Sequence, residues 1–149
     1  MLKNFLGQPV HPMLVHFPIA FFILSTFLLG LHLLDASRGR VNSGFAKIRM
    51  GNFDFESFSF FALFGGVAMG TLAILSGLAL VEGWKNLPIP HGPLGLALES
   101  CYGVLLLMRW ILGQSLYEKR LRYLYYSLHF FGILLIGLTG FEGGELHHQ

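Results

Sequence analysis

Four long runs of apolar residues, separated by shorter polar stretches, form the main pattern along the chain. Each run is long enough for a membrane-spanning helix, which needs about 20 apolar residues to cross the hydrocarbon core. The runs are continuous, whereas half-buried strands would alternate between apolar and polar positions. We therefore predict an all-α integral membrane four-helix bundle that forms a single domain over residues 1–149, with helices at about 12–34, 58–81, 93–112 and 121–141.

The composition agrees with a membrane protein. Hydrophobic residues make up 54% of the chain and charged residues 12%, which is about half the charged fraction of an average soluble domain. A soluble globule would lack the polar side chains to cover its surface. The single cysteine, Cys101, excludes an internal disulfide framework and a Cys-x-x-Cys metal site.

Lysine and arginine are distributed unequally between the two ends of the predicted helices. One end has eight, which are Arg38, Arg40, Lys47, Arg49, Arg109, Lys119, Arg120 and Arg122, and the other has Lys3 and Lys85. Cytoplasmic loops carry the excess of basic residues. We therefore expect both termini and the turn at 82–92 on the outer, periplasmic side of a bacterial cytoplasmic (inner) membrane. The basic loops then reflect topology and do not indicate a nucleic-acid partner.

Most of the histidines fall at the predicted outer end. His11 and His16 lie at the start of the first helix, and His91 lies at the start of the third. Neutral imidazole is the commonest metal ligand in proteins, and a haem iron between helices takes one imidazole on each face of the porphyrin. His16 and His91 have similar predicted heights. We therefore expect them to be the axial ligands of a haem b, with His11 as the alternative ligand.

The same residues are compatible with two other functions. One is a bare Zn, Cu or Fe ion in a transport or sensor protein. Its candidate ligands are His11, His16, His91, Glu142, Glu145 and His147. The other is a non-catalytic structural subunit of a larger membrane complex, in which the histidines cap helices or bond to carbonyl groups. The predicted outer end is richer in carboxylates than in cations. This charge distribution argues against haem, because the anionic haem propionates favour neighbouring Lys or Arg.

Two ionisable residues are predicted to lie deeper in the membrane. Glu99 is about two turns along the third helix, and His129 is about two turns from the basic end of the fourth. Charge in the hydrocarbon region is costly, so we expect both side chains to face the bundle interior or a protein-lined cavity. We assign them to catalysis, as a buried pair, a proton relay or part of a quinone pocket.

Small residues recur at helical spacing along the second predicted helix, at Gly66, Gly70, Ala73 and Gly77. Such stripes usually serve the packing of one helix against another. They can also leave space for a flat cofactor. The spacing alone does not separate these two interpretations.

The opening HPMLVHFPIA at residues 11–20 resembles the start of a widespread bacterial family of four-helix membrane domains catalogued as a domain of unknown function. That family opens with HPxxVHFP, has a Ser-Gly near the outer end of helix two and a His at the start of helix three, and closes helix four with Gly-Gly. The corresponding positions are Ser76-Gly77, His91 and Gly143-Gly144. The resemblance therefore covers nearly the whole chain.

In some members of that family, the membrane domain looks fused to a Rieske-type iron–sulfur domain or to a c-type cytochrome domain. This resemblance implies a membrane redox role and points to His11, His16 and His91. The leading hypothesis is a small subunit resembling a b-type cytochrome, with haem between helices one and three near the outer face. Its expected partners are membrane lipid, quinol and a periplasmic redox protein or larger membrane complex.

Overall fold

The computed structural model describes residues 10–37, 55–80, 90–117 and 120–145. In these ranges the chain forms four long helices and no strand. The helices are α1 (Val10–Ser37), α2 (Phe55–Leu80), α3 (His91–Leu112) and α4 (Leu121–Glu145), and a short 3₁₀ turn, Gly113–Leu116, follows α3. The predicted all-α class is confirmed.

Every one of the four helices can cross a membrane. Their apolar spans are Met13–Leu34, Phe55–Ala79, His91–Leu112 and Leu121–Gly143. Large apolar side chains cover the outside of the bundle, among them Phe27, Trp110, Ile111 and Phe130. Burial of this surface requires lipid, because exposed apolar patches of this extent are rare on soluble monomers. The chain is therefore a membrane protein with four spanning helices in contact with lipid.

The helices pack as a ring in chain order. α1 packs most extensively along α2, α3 packs along α4, and α2–α3 and α4–α1 contacts close the ring. α1 and α3 lie across the bundle from one another, and their side chains meet in its centre. There the rings of Phe22 and Tyr102 stack with a centroid separation of 3.8 Å. The core thus depends on aromatic contact between two helices that are not adjacent.

Two buried serines join α1 to α2 through reciprocal hydrogen bonds. Ser25 Oγ donates to the carbonyl oxygen of Ser59 at 2.9 Å, and Ser59 Oγ donates to that of Ser25 at 2.8 Å. Both side chains are fully enclosed. Polar contacts of this kind fix the rotation and register of two helices where apolar packing alone is permissive.

Several glycines make room for side chains from neighbouring helices. A Cβ added at Gly132 would lie 2.7 Å from the ring of Tyr102, which is closer than real carbon contacts allow. The same relation holds for three more pairs, Gly66 with Phe22, Gly70 with Glu99 and Gly77 with His11, and a Cβ at Gly143 would lie at a tight 3.0 Å from His91. The small residues of α2 therefore receive side chains, which is a packing role.

The antiparallel helices bring different chemistry to the two ends of the bundle. We call the end where α1 and α3 begin and α2 and α4 finish the histidine end, because His11 and His91 lie there. We call the opposite end the ion-pair end, after the contact between Glu56 and Arg109.

Candidate functional site

His11 is held against the last turns of α2 by its Nδ1 atom. Nδ1 lies 2.8 Å from Ser76 Oγ and 3.1 Å from the carbonyl oxygen of Ala73. A carbonyl oxygen only accepts hydrogen bonds, so the contact with Ala73 assigns the ring proton to Nδ1. In that tautomer Nε2 carries the lone pair. This arrangement is the usual one for a metal-ligating histidine, whose other ring nitrogen donates to a carbonyl group.

Burial keeps the His11 imidazole neutral. Loss of hydration lowers the pKa of His11 below its ordinary value, the hydrogen bond to Ala73 opposes this, and the neighbouring His91 lowers the pKa further. Neutral imidazole is the form that binds metal ions. His11 is therefore held in the charge state and tautomer that a metal ligand requires.

His91 occupies the first position of α3 and packs against α4. A Cβ added at Gly143 would lie 3.0 Å from His91 Cε1, so the absence of a side chain at Gly143 accommodates this ring. His91 Nδ1 is buried and has no hydrogen-bond partner among the described residues. A buried ring nitrogen without a partner is costly. A bound ligand would satisfy it.

The structure places His11 and His91 at the same end of the bundle, where His91 acts electrostatically on His11, and it leaves His16 exposed on α1. His16 follows His11 by five residues, so the two side chains are separated by roughly 140° around the helix. Because His11 faces α2, His16 faces a different direction and is exposed on the surface of α1. His11 interacts electrostatically with His91.

The other candidate ligands contribute less to this end. Glu142 is half-buried near the end of α4, and Glu145 is the last residue of that helix. His147 lies outside the described residues. Within the described ranges, no three His, Cys, Asp or Glu side chains are grouped so that they could hold a metal ion.

His129 lies in the interior, enclosed by three helices. Its side chain is 2% exposed, and its Nδ1 is 3.0 Å from Thr26 Oγ1 on α1. The rings of Tyr125 and Tyr102 contact it edge-on, with centroids at 4.8 Å and 6.0 Å. Its Nε2 is buried without a hydrogen-bond partner in the part of the chain that the structure describes.

Glu99 belongs to a different interface from His129. Its carboxyl group lies over Gly70, and Oε1 is 3.1 Å from Thr71 Oγ1 on α2. The side chain is half-buried, on the outer part of the α2–α3 contact. The described contacts of Glu99 are to α2, whereas those of His129 are to α1, α3 and α4. The two residues therefore do not form one pair.

A buried ion pair that the sequence did not predict lies at the opposite end of the bundle. The second helix was predicted from residue 58, which leaves Glu56 outside it, and Arg109 was considered only in the count of basic residues. In the structure Glu56 lies in the first turn of α2, is 1% exposed, and pairs with Arg109 Nε. Tyr117 donates a hydrogen bond to Glu56 at 3.1 Å. The signal was available, because an acid at the start of α2 and a base at the end of α3 must share one end of the bundle.

Aromatic rings complete this ion-pair site. The Arg109 guanidinium lies 5.6 Å from the ring centroid of Phe60 and 5.7 Å from that of Tyr117. Burial raises the pKa of the Tyr117 hydroxyl well above its usual range, with Tyr125 and Glu56 adding to the effect. Tyr117 therefore remains a hydrogen-bond donor to Glu56 at every physiological pH.

Comparisons with known proteins place the chain by family only. No curated protein and no solved structure matches the chain significantly. One family model, described as "Predicted membrane protein (DUF2231)", matches residues 7–149. That match covers nearly the whole chain and includes both the helix-one histidine motif and the Gly-Gly positions at the end of α4. The chain therefore belongs to the DUF2231 family of membrane proteins.

Proposed function

We propose that this chain is a small membrane redox subunit that binds haem b at its histidine end, with His11 and His91 as the axial ligands. The observation that carries the proposal is the state of these two rings. His11 is neutral, with its proton held on Nδ1 by Ala73. Beside it, His91 has a buried ring nitrogen that finds no partner among the described residues.

The number of available ligands favours haem over a bare ion. Structural zinc sites take four protein ligands, and catalytic sites take three. The described residues offer no such group. Haem iron needs one or two axial side chains from the protein, because the porphyrin supplies the remaining nitrogens. Two imidazoles at one end of the bundle are therefore sufficient for haem, whereas a typical zinc site would need further ligands beyond the described residues.

Each part of the histidine end has a role in holding the group. Ala73 and Ser76 orient the His11 ring. Gly77 and Gly143 leave space for the two imidazoles, since a Cβ at either position would lie 2.9–3.0 Å from a ring carbon. When bound, haem would supply one-electron transfer between a membrane carrier such as quinol and a partner protein.

We place the histidine end on the periplasmic side of a bacterial cytoplasmic membrane. The support is the excess of Lys and Arg in the segments that flank the ion-pair end. This orientation would present the proposed haem to a periplasmic redox protein or to a larger complex. Quinol would reach it from the membrane.

The visible spectrum of the purified protein, oxidised and then reduced with dithionite, tests the proposal. We expect the spectrum of a six-coordinate b-type haem, which His11→Ala and His91→Ala should each abolish or convert to a five-coordinate form. His16→Ala is the matched control, because it removes an exposed histidine of the same helix, and it should leave the spectrum unchanged.

The opposite results would overturn the assignment. If His16→Ala lost haem and His11→Ala retained it, His16 and not His11 would be the ligand from α1. A colourless protein with a stoichiometric metal ion would favour the transition-metal alternative. A colourless, metal-free protein purified from haem-sufficient cells would favour a structural subunit of a larger membrane complex.

A further inference from the structure

Glu99 is a carboxyl group near the middle of a membrane-spanning helix and outside the bundle core. It follows His91 by eight residues, which places it about 12 Å along a helix of about 33 Å. Its polar neighbour Thr71 is exposed, as are Leu72 and Leu75 on the same stretch of α2. In a bilayer this surface faces hydrocarbon.

Glu99 receives little compensation from hydrogen bonding. Thr71 Oγ1 lies 3.0 Å from the carbonyl oxygen of Val67 and 3.1 Å from Glu99 Oε1, and it can donate to either. A hydroxyl group has one proton, so Glu99 competes with the backbone of α2 for this hydrogen bond. At most one shared hydrogen bond therefore reaches the carboxyl group.

The surrounding residues offer Glu99 no compensating charge. The described ion pairs do not include it. α2 contains one ionisable residue, Glu56, about 22 Å away in the first turn. On the α4 side, His129 is directed to Thr26 and Tyr125. An unpaired carboxylate at this depth would be expensive, whereas the neutral acid is tolerated.

From this geometry we propose that Glu99 is held as a protonated carboxyl group on the membrane-facing side of the α2–α3 contact, where apolar molecules reach it from the hydrocarbon. Gly70 forms the floor of the site, since a side chain there would occupy the position of the carboxyl group. Thr71 holds one carboxyl oxygen. The site is independent of the proposed haem, because none of these residues contacts His11 or His91 in the described structure.

The second membrane carboxyl group, Glu56, is an internal comparison for this proposal. It is 1% exposed and forms an ion pair with Arg109 and a hydrogen bond with Tyr117. It is therefore enclosed and has a cationic partner, which Glu99 lacks among the described residues. Glu99 and Glu56 should differ in every reaction that requires a protonated carboxyl group accessible from lipid.

Labelling with dicyclohexylcarbodiimide tests the proposal, because this apolar reagent reacts with protonated carboxyl groups that it reaches through the hydrocarbon. The whole protein, reconstituted in phosphatidylcholine vesicles, is treated with the reagent and mapped by mass spectrometry. We expect modification at Glu99, faster at lower pH, and none at Glu56. Glu99→Gln should lose all modification within the membrane-spanning segments. A water-soluble carbodiimide should not label Glu99.

Three results would overturn the proposal. The first is the absence of Glu99 modification in vesicles when the same protein, denatured in detergent, reacts at Glu99. The second is equal modification of Glu56 and Glu99 in the folded protein. The third is labelling of Glu99 by the water-soluble reagent at a similar rate, which would show access from water. Haem content is measured in the same samples, so failure here is distinguishable from failure of the proposed haem site.

Discussion

The histidine end depends on residues without side chains as much as on its two imidazoles. His11 and His91 each lie over a glycine of the neighbouring helix, at Gly77 and Gly143. Both glycines occur in short motifs that are weak on their own. Their function becomes visible only when the position of the ring above each one is known.

Adding a methyl group at these two glycines should displace the histidines. In Gly77→Ala the new Cβ would lie 2.9 Å from His11 Cε1, and in Gly143→Ala it would lie 3.0 Å from His91 Cε1. We expect each variant to lower haem occupancy and the unfolding temperature. Gly140→Ala is the control, because nothing lies within 4 Å of its Cβ. Equal behaviour of all three variants would show that the rings are not fitted to these positions.

Acidification should destabilise the haem-free protein through His11. Its pKa is lowered in the folded state, mainly by burial, so the unfolded chain binds the proton more readily. The contribution of neutral His11 is complete above the ordinary imidazole pKa of about 6.5 and is lost as the pH falls through the lowered value. Unfolding temperatures measured across this range should fall less steeply in His11→Gln. An identical pH dependence in the two proteins would contradict this assignment.

At the scale of the helices, hydropathy predicted each element but not its ends. The second helix was expected from residue 58 and begins at Phe55. The added turn contains Glu56, which lies just before the uninterrupted apolar run of the sequence. Its ion pair with Arg109 compensates the buried charge, and such a contact between residues 53 positions apart cannot be read from either segment alone.

Removing both members of this ion pair should cost less than the two single removals added together. Glu56→Ala leaves the Arg109 guanidinium unpaired in a largely buried site, and Arg109→Ala leaves an enclosed carboxylate. Breaking a buried pair typically costs about 3–5 kcal/mol. The double variant should lose less than the sum of the two single losses. Free energies of unfolding in mixed micelles measure this coupling, and additive losses would show that the pair does not act as a unit.

For the whole molecule, the sequence predicted the class and the number of spans. It did not predict which helix-one histidine packs against α2, because His11 and His16 differ by a rotation that only the packing of α1 on α2 decides. In the structure, the hydrogen bonds of His11 with Ala73 and Ser76 fix this rotation. Similarly, Glu99 and His129 have comparable depths in the sequence but lie at different interfaces.

The orientation in the membrane is a prediction for the whole molecule. Asn42→Cys and Asn86→Cys, each placed in Cys101→Ala, introduce single thiols in the segments between α1 and α2 and between α2 and α3. The excess of basic residues at the ion-pair end predicts that a membrane-impermeant thiol reagent labels position 86 in intact cells and position 42 only after permeabilisation. The reverse pattern would invert the bundle and place the histidine end in the cytoplasm.

The most direct test of the central claim is a redox titration of the His11→Met variant beside the natural protein. If His11 and His91 hold the haem iron, this substitution replaces a histidine–histidine pair by a methionine–histidine pair, which raises the reduction potential of haem. We predict a higher midpoint potential with haem retained, and no change in the equivalent His16→Met variant. An unchanged potential in His11→Met, with haem still bound, would contradict the assignment of His11 as a ligand.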